Sequence, residues 1–122
     1  MRKLLFSVLF AVVAVTASAQ TAHWITVDDS TRNERNTWIE FKKDLTLKKK
    51  VKKAEAKIAA DSKYWLWING QMVVFEGGLK RGPDKASTYY DVVDIAPYLK
   101  KGANEIQVYL WHFGRSGFSH NS

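Results

Sequence analysis

The stretch DVVDIAPYLKKGANEIQVYLW, residues 91–111, decides the fold. Residues 91–95 are rich in the β-branched side chains that strands favour. Pro97 fixes φ and withholds an N–H, so regular pairing must end after residues 91–95 and a corner follow before Tyr98 and Leu99. Gly102 permits the turn that follows. After it, Ile106, Val108 and Leu110 alternate with Gln107, Tyr109 and Trp111, the period of two expected of a strand with one buried face. Strand, corner, glycine turn and strand predict an antiparallel all-β chain. Nothing in the stretch has the makings of a catalytic centre.

Upstream, residues 64–69 and 72–75 flank Asn69-Gly70, the dipeptide that best tolerates positive φ at both central positions of a tight hairpin turn. In the first of these strands Trp65 and Trp67 share one face and Tyr64, Leu66 and Ile68 the other. Residues 37–47 predict a further strand, in which Phe41, Lys43, Leu45 and Leu47 fall on one parity, so Lys43 is expected near an end or a bulge. Ala54, Ala56, Ile58 and Ala60 alternate with Lys53, Glu55, Lys57 and Ala59, which places small apolar side chains inward and charge outward. Residues 24–27 predict a short first strand and residues 88–95 a later one, with polar loops over residues 28–36 and 76–87. Seven or so short strands without a helical period predict an antiparallel β-sandwich. A jelly roll is the first choice; an immunoglobulin-like sandwich is second, although the cysteine pair of antibody-type domains is absent.

Arg2 and Lys3, a mostly apolar run over residues 4–15, and Ala17-Ser18-Ala19 have the order of an export signal cleaved after Ala19. The run is shorter than the roughly 20 residues that span a bilayer. The mature chain, residues 20–122, is therefore expected to be periplasmic or secreted and free of the membrane, and its length suits one small domain. With no cysteine there is neither a disulfide framework nor a lipid-modified cysteine, so packing alone must supply stability. The 13% aromatic content suits strands and argues against disorder. The chain is basic, with a formal charge of +7, and lysines gather between Lys48 and Lys57. These read as a solvated strand face or a lysine-protected sheet border. Clustered positive charge also binds phosphates, but export argues against a nucleic-acid partner.

Chemistry-bearing motifs are sparse. Asp28 with Asp29, and Asp91 with Asp94, pair carboxylates in sequence, but acid/base work needs carboxylates that face one cleft, and neighbours on a strand point oppositely. His23, His112 and His120 lack the tight spacing of a zinc site; scattered Asp and loop carbonyls leave calcium open, yet no metal or cofactor is expected. Gly77-Gly78 lacks the strand-to-helix setting of a phosphate loop, and no nucleophile elbow or dinucleotide fingerprint occurs.

Taken in order, several pieces resemble the N-terminal β-sandwich of bacterial α-L-rhamnosidases of the glycoside hydrolase family 78 type. They are Trp24-Ile25, Asn36-Thr37-Trp38-Ile39 with Phe41-Lys42-Lys43, YWLWING at 64–70, EGGLKRGP at 76–83, TYYD at 88–91, the 91–111 unit and FGRSGFSHNS at 113–122. The similarity covers essentially all of the mature chain. It implies a galactose-binding-like jelly roll ancillary to a helical (α/α)6 barrel that hydrolyses terminal rhamnose. An inverting hydrolase holds its acid and base across the scissile bond. In that family both belong to the barrel, so no catalytic residue carries over. The family continues into a further strand beyond the position of Ser122, so the chain is expected to be truncated, lacking its last strand and the catalytic domain. Its implied partners are that domain and rhamnose-containing polysaccharide. The alternative is a free-standing exported carbohydrate-binding or interaction protein of the same fold, because fold alone does not fix function.

Pyranose C–H faces stack on aromatic rings within a hydrogen-bonding rim. Trp65, Trp67, Asn69, Tyr109 and Trp111 are therefore the candidates for carbohydrate or domain-interface contact. If the Leu/Ile faces of their strands line the core, the tryptophans form an outer patch.

Overall fold

A computed structural model of the chain describes residues 22–27, 34–78 and 87–114. The expected export signal, the Asp28–Asp29 pair, residues 79–86 of the long loop, His120 and the tail after Gly114 lie outside them. The described residues form six strands, β1 (Thr37–Leu47), β2 (Glu55–Ile58), β3 (Lys63–Ile68), β4 (Gln71–Gly78), β5 (Asp91–Asp94) and β6 (Gly102–His112), with a 3-10 turn at Ala96–Tyr98 before β6. One sheet runs β1-β6-β3-β4 and the other pairs β2 with β5, every pairing antiparallel. This is the all-β antiparallel sandwich expected from the alternation.

The core lies between the sheets. Tyr64, Leu66 and Ile68 of β3 are buried with Leu99, and Leu45, Leu47, Ile58, Val74, Ile106 and Val108 pack against them. Full burial of a side chain such as Leu66 contributes about 1.5–3 kcal/mol, the largest increments available to a chain without disulfides. Tyr64 also ties the layers together, its hydroxyl donating to Asp91 Oδ2 at 2.9 Å. Its ring lies so close over Gly77 that a Cβ there would meet it, which explains one of the two adjacent glycines without any ligand.

The predicted hairpin closes as expected, with Asn69 at φ 51° and Gly70 at φ 77°, left-handed values at both central residues of a primed turn. Pro97 sits in the corner turn, and Asp94 Oδ1 accepts the Ala96 N–H at 3.1 Å. The boundaries of β1 match the sequence reading.

Three expectations need correction. Residues 24–27 form no strand; Trp24 and Ile25 are 69% and 71% exposed, because no described strand pairs with them. Glu76, Gly77 and Gly78 extend β4 instead of opening a loop, and the later strand starts at Asp91, not Thr88. Lys43 stands in the middle of β1, opposite Ile106 in an unbroken ladder, and is exposed on the parity of Phe41 and Leu45. It escapes burial because β1 is the outermost strand of its sheet.

Candidate functional site

Alternation sends the other half of each strand to the opposite face of the four-stranded sheet. On β3 these residues are Trp65 and Trp67, only partly buried between the fully covered Tyr64, Leu66 and Ile68. The tryptophans are thus outward and the Leu/Ile face is core. Pairing then sets the rows across the sheet: Trp38 of β1 lies opposite Trp111 of β6, Glu40 opposite Tyr109, and Lys42 opposite Gln107. On the other side of β6, Tyr109 faces Trp65 and Gln107 faces Trp67, with Met72 of β4 beyond Trp67.

The rings hold one another in place. Trp38 is nearly parallel to Trp111, with centroids 5.1 Å apart, and tilted by 30° over Trp65 at 5.4 Å. Trp65 meets Phe75 edge-on at 6.3 Å, and Trp67 meets Tyr109 edge-on at 5.2 Å. Trp111 packs against Phe113 and donates its indole N–H to Asn36 Oδ1 at 2.8 Å. Trp38 is stacked on Trp111 and tilted against Trp65, and still 57% exposed. Between the rings runs an open groove of about 590 Å³ lined by Trp38, Trp65, Trp67, Gly70, Met72, Gln107 and Tyr109.

A polar rim accompanies the rings. Glu40 accepts from Gln107 Nε2 at 3.4 Å and lies 3.4 Å from Lys42 Nζ. A hydrogen bond from Tyr109, with the Lys42 charge adding to it, holds the Glu40 carboxyl below its ordinary pKa, and the same bond to Glu40 raises the Tyr109 phenol. Glu40 is therefore an oriented anion beside the groove at neutral pH. Lys63 and Glu76 form a second ion pair at 3.0 Å on the other flank.

Of the five residues the sequence singled out, Trp65, Trp67 and Tyr109 line the groove, while Trp111 lies stacked against Trp38. Asn69 is placed elsewhere. Its amide nitrogen donates to Tyr98 O and to Asn104 Oδ1, both at 2.9 Å, and its oxygen accepts the Glu105 N–H at 3.0 Å. Asn104, itself buried, accepts the Lys100 N–H at 2.8 Å and donates to the carbonyls of Lys100, Gly102 and Leu45. Asn69 thus fastens the hairpin tip to the turn before β6. Sequence reading missed Trp38, Met72 and Gln107, although Trp38 shares the parity of Glu40 and Lys42 and so belonged to the outward set. Asp91 is bonded to Tyr64, and His112 Nδ1 lies 3.7 Å from Asp61 Oδ2. Among the described residues no three His, Cys, Asp or Glu side chains converge on a metal-sized site.

The described residues thus form an antiparallel sandwich with an exposed aromatic face and a polar rim. Among solved structures the chain is similar to the α-L-rhamnosidase of Streptomyces avermitilis, determined with L-rhamnose, with a TM-score of 0.57 and 18% identity over 74% of this chain and 9% of that one. The α-L-rhamnosidase of Dictyoglumus thermophilum is also found, with a TM-score of 0.47 and 29% identity over 60% of this chain and 8% of that one. The chain thus spans under a tenth of the length of either enzyme. The first likeness shows that this sandwich has the fold of one part of an α-L-rhamnosidase. No protein-family model matches the chain, and no curated protein matches it.

Proposed function

We propose that this chain is a non-catalytic ancillary module, structural or weakly carbohydrate-binding, of an exported α-L-rhamnosidase-like glycoside hydrolase acting on rhamnose-containing polysaccharide. The observation that carries the reading is the fold likeness to a small part of the Streptomyces avermitilis enzyme, over 74% of this chain. The ordered sequence pieces, from YWLWING to the 91–111 unit, support the same assignment. In this reading hydrolysis belongs to a companion domain, because a glycosidase needs two carboxyl groups flanking one scissile bond. The sandwich's own Asp91 and Asp94 serve Tyr64 and the corner turn.

The reading frame beyond Ser122 is the test. A continuing frame that encodes a helical barrel supports the module, and a stop codon there favours a free-standing protein. The export component is checked separately: mass spectrometry of the mature protein is expected to find Gln20 at its N-terminus, and an intact Met1 in exported material would remove that component.

A further inference from the structure

The groove presents aromatic rings, and lysines gather at the end of the sheet where Gly70 borders it. The last rung of the β1–β6 ladder pairs Leu47 with Gly102, so Lys48, Lys49 and Lys50 leave the sheet where Lys100 and Lys101 enter it. All five are exposed. The return to β2 brings Lys52 and Lys53 to the same end, since Ala54 O accepts the Ile95 N–H at 2.9 Å beside the corner turn. The groove reaches this end through Gly70. The neighbouring Asn69 is fastened to Asn104, which holds the Lys100 backbone. Asp44 and Glu105 oppose each other on the outer face between Lys42 and that turn, so positive charge is confined to the end and does not spread over the sheet.

We propose that the outer face binds a carboxylated glycan, with pyranose rings lying on Trp38 and between Trp65, Trp67 and Tyr109, and with uronate carboxylates reaching the lysine turn past Gly70. Three features fit that ligand together. The exposed Trp38 ring in the groove lining suits the C–H face of a sugar ring. Glu40 and Gln107 present acceptors beside the rings, which suits sugar hydroxyls as donors. The lysines complement carboxylates. A nucleic-acid strand would also seek rings and lysines, and the titration against single-stranded DNA separates the two.

The proposal deepens the ancillary reading by naming a ligand class, and its test uses this chain alone, so its failure leaves the question of the reading frame untouched. Residues 20–122 are titrated with polygalacturonate, with its fully methyl-esterified form, and with single-stranded DNA. The acid form is expected to bind more tightly than the ester, with the difference shrinking as salt is added. Trp38→Ala is expected to weaken both sugars by roughly threefold to tenfold, the range of one lost ring contact, and Trp38→Phe to restore part of the loss. Combined Lys48→Gln, Lys49→Gln, Lys100→Gln and Lys101→Gln is expected to weaken the acid form alone. Unchanged binding in Trp38→Ala, equal retention of DNA, or no binding of polygalacturonate overturns the proposal. So does a dimer that Trp38→Ala dissociates while no sugar binds, which would give the face to a second copy.

Discussion

The two faces of the four-stranded sheet are made from alternate residues of the same strands, and they differ in what completes them. The inner face is finished within the chain: Tyr64, Leu66 and Ile68 are covered by residues of both sheets and by the corner turn. The outer face has nearly as many large side chains, yet Trp38, Met72 and Phe75 remain 57%, 48% and 69% exposed. Its rings are fixed by one another and not by a second layer. One face therefore specifies the fold, and the other is available for contact.

The largest test of that division is Leu66→Ala. Removing a fully covered side chain is expected to cost about 2–5 kcal/mol, read as a fall in the denaturant midpoint with an unchanged slope. A comparable loss on truncating Trp65 would erase the distinction between the faces. Gly77→Ala comes next, because its Cβ would meet the Tyr64 ring and the overpacked site is expected to lose about 1–3 kcal/mol. Asn104→Ala falls in the same range, about 1–3 kcal/mol, since it strands the Lys100 amide and several carbonyls. Thermal melts rank both.

Tyr64 sharpens the comparison through pH. Burial, reinforced by the hydrogen bond to Asp91, raises its phenol pKa above the ordinary tyrosine value. The folded chain thus holds a proton that the unfolded chain releases at about pH 10, so the Tyr64 contribution is complete below that pH and is lost as pH rises above it. Tyr64→Phe is expected to cost about 0.5–1.5 kcal/mol near neutrality and to flatten the alkaline decline in melting temperature. An unaltered decline would place its cause elsewhere. The smallest effect is expected of Trp38→Ala, under about 1 kcal/mol in urea unfolding, because more than half of the residue's surface is already in water.

The division was only half legible in the sequence. The limits of β1 and the Asn69-Gly70 turn could be read because they depend on neighbouring residues. Parity grouped Trp65 with Trp67, but which face is inward depends on where β2 and β5 lie, and that is a tertiary fact. Trp38 escaped notice for a related reason: its groove mates come from other strands. Asn69 was legible as a turn residue only, since its amide partners stand 29, 35 and 36 residues farther along. Trp24 to Val27 has strand-like composition, but composition cannot supply a partner strand.

Lys43 carries a consequence for polymerisation. An outermost strand offers a row of free amides and carbonyls to any extended segment that drifts alongside, and stacking of that kind is how ordered sandwiches seed fibrils. A newcomer adding to β1 would prolong the inner layer as well, and its apolar side chains would settle around the Lys43 ammonium, which sits on the inner parity halfway along the strand. Stripping water from that charge opposes the addition. One misfit in the alternation thus guards the border of the sheet against runaway growth.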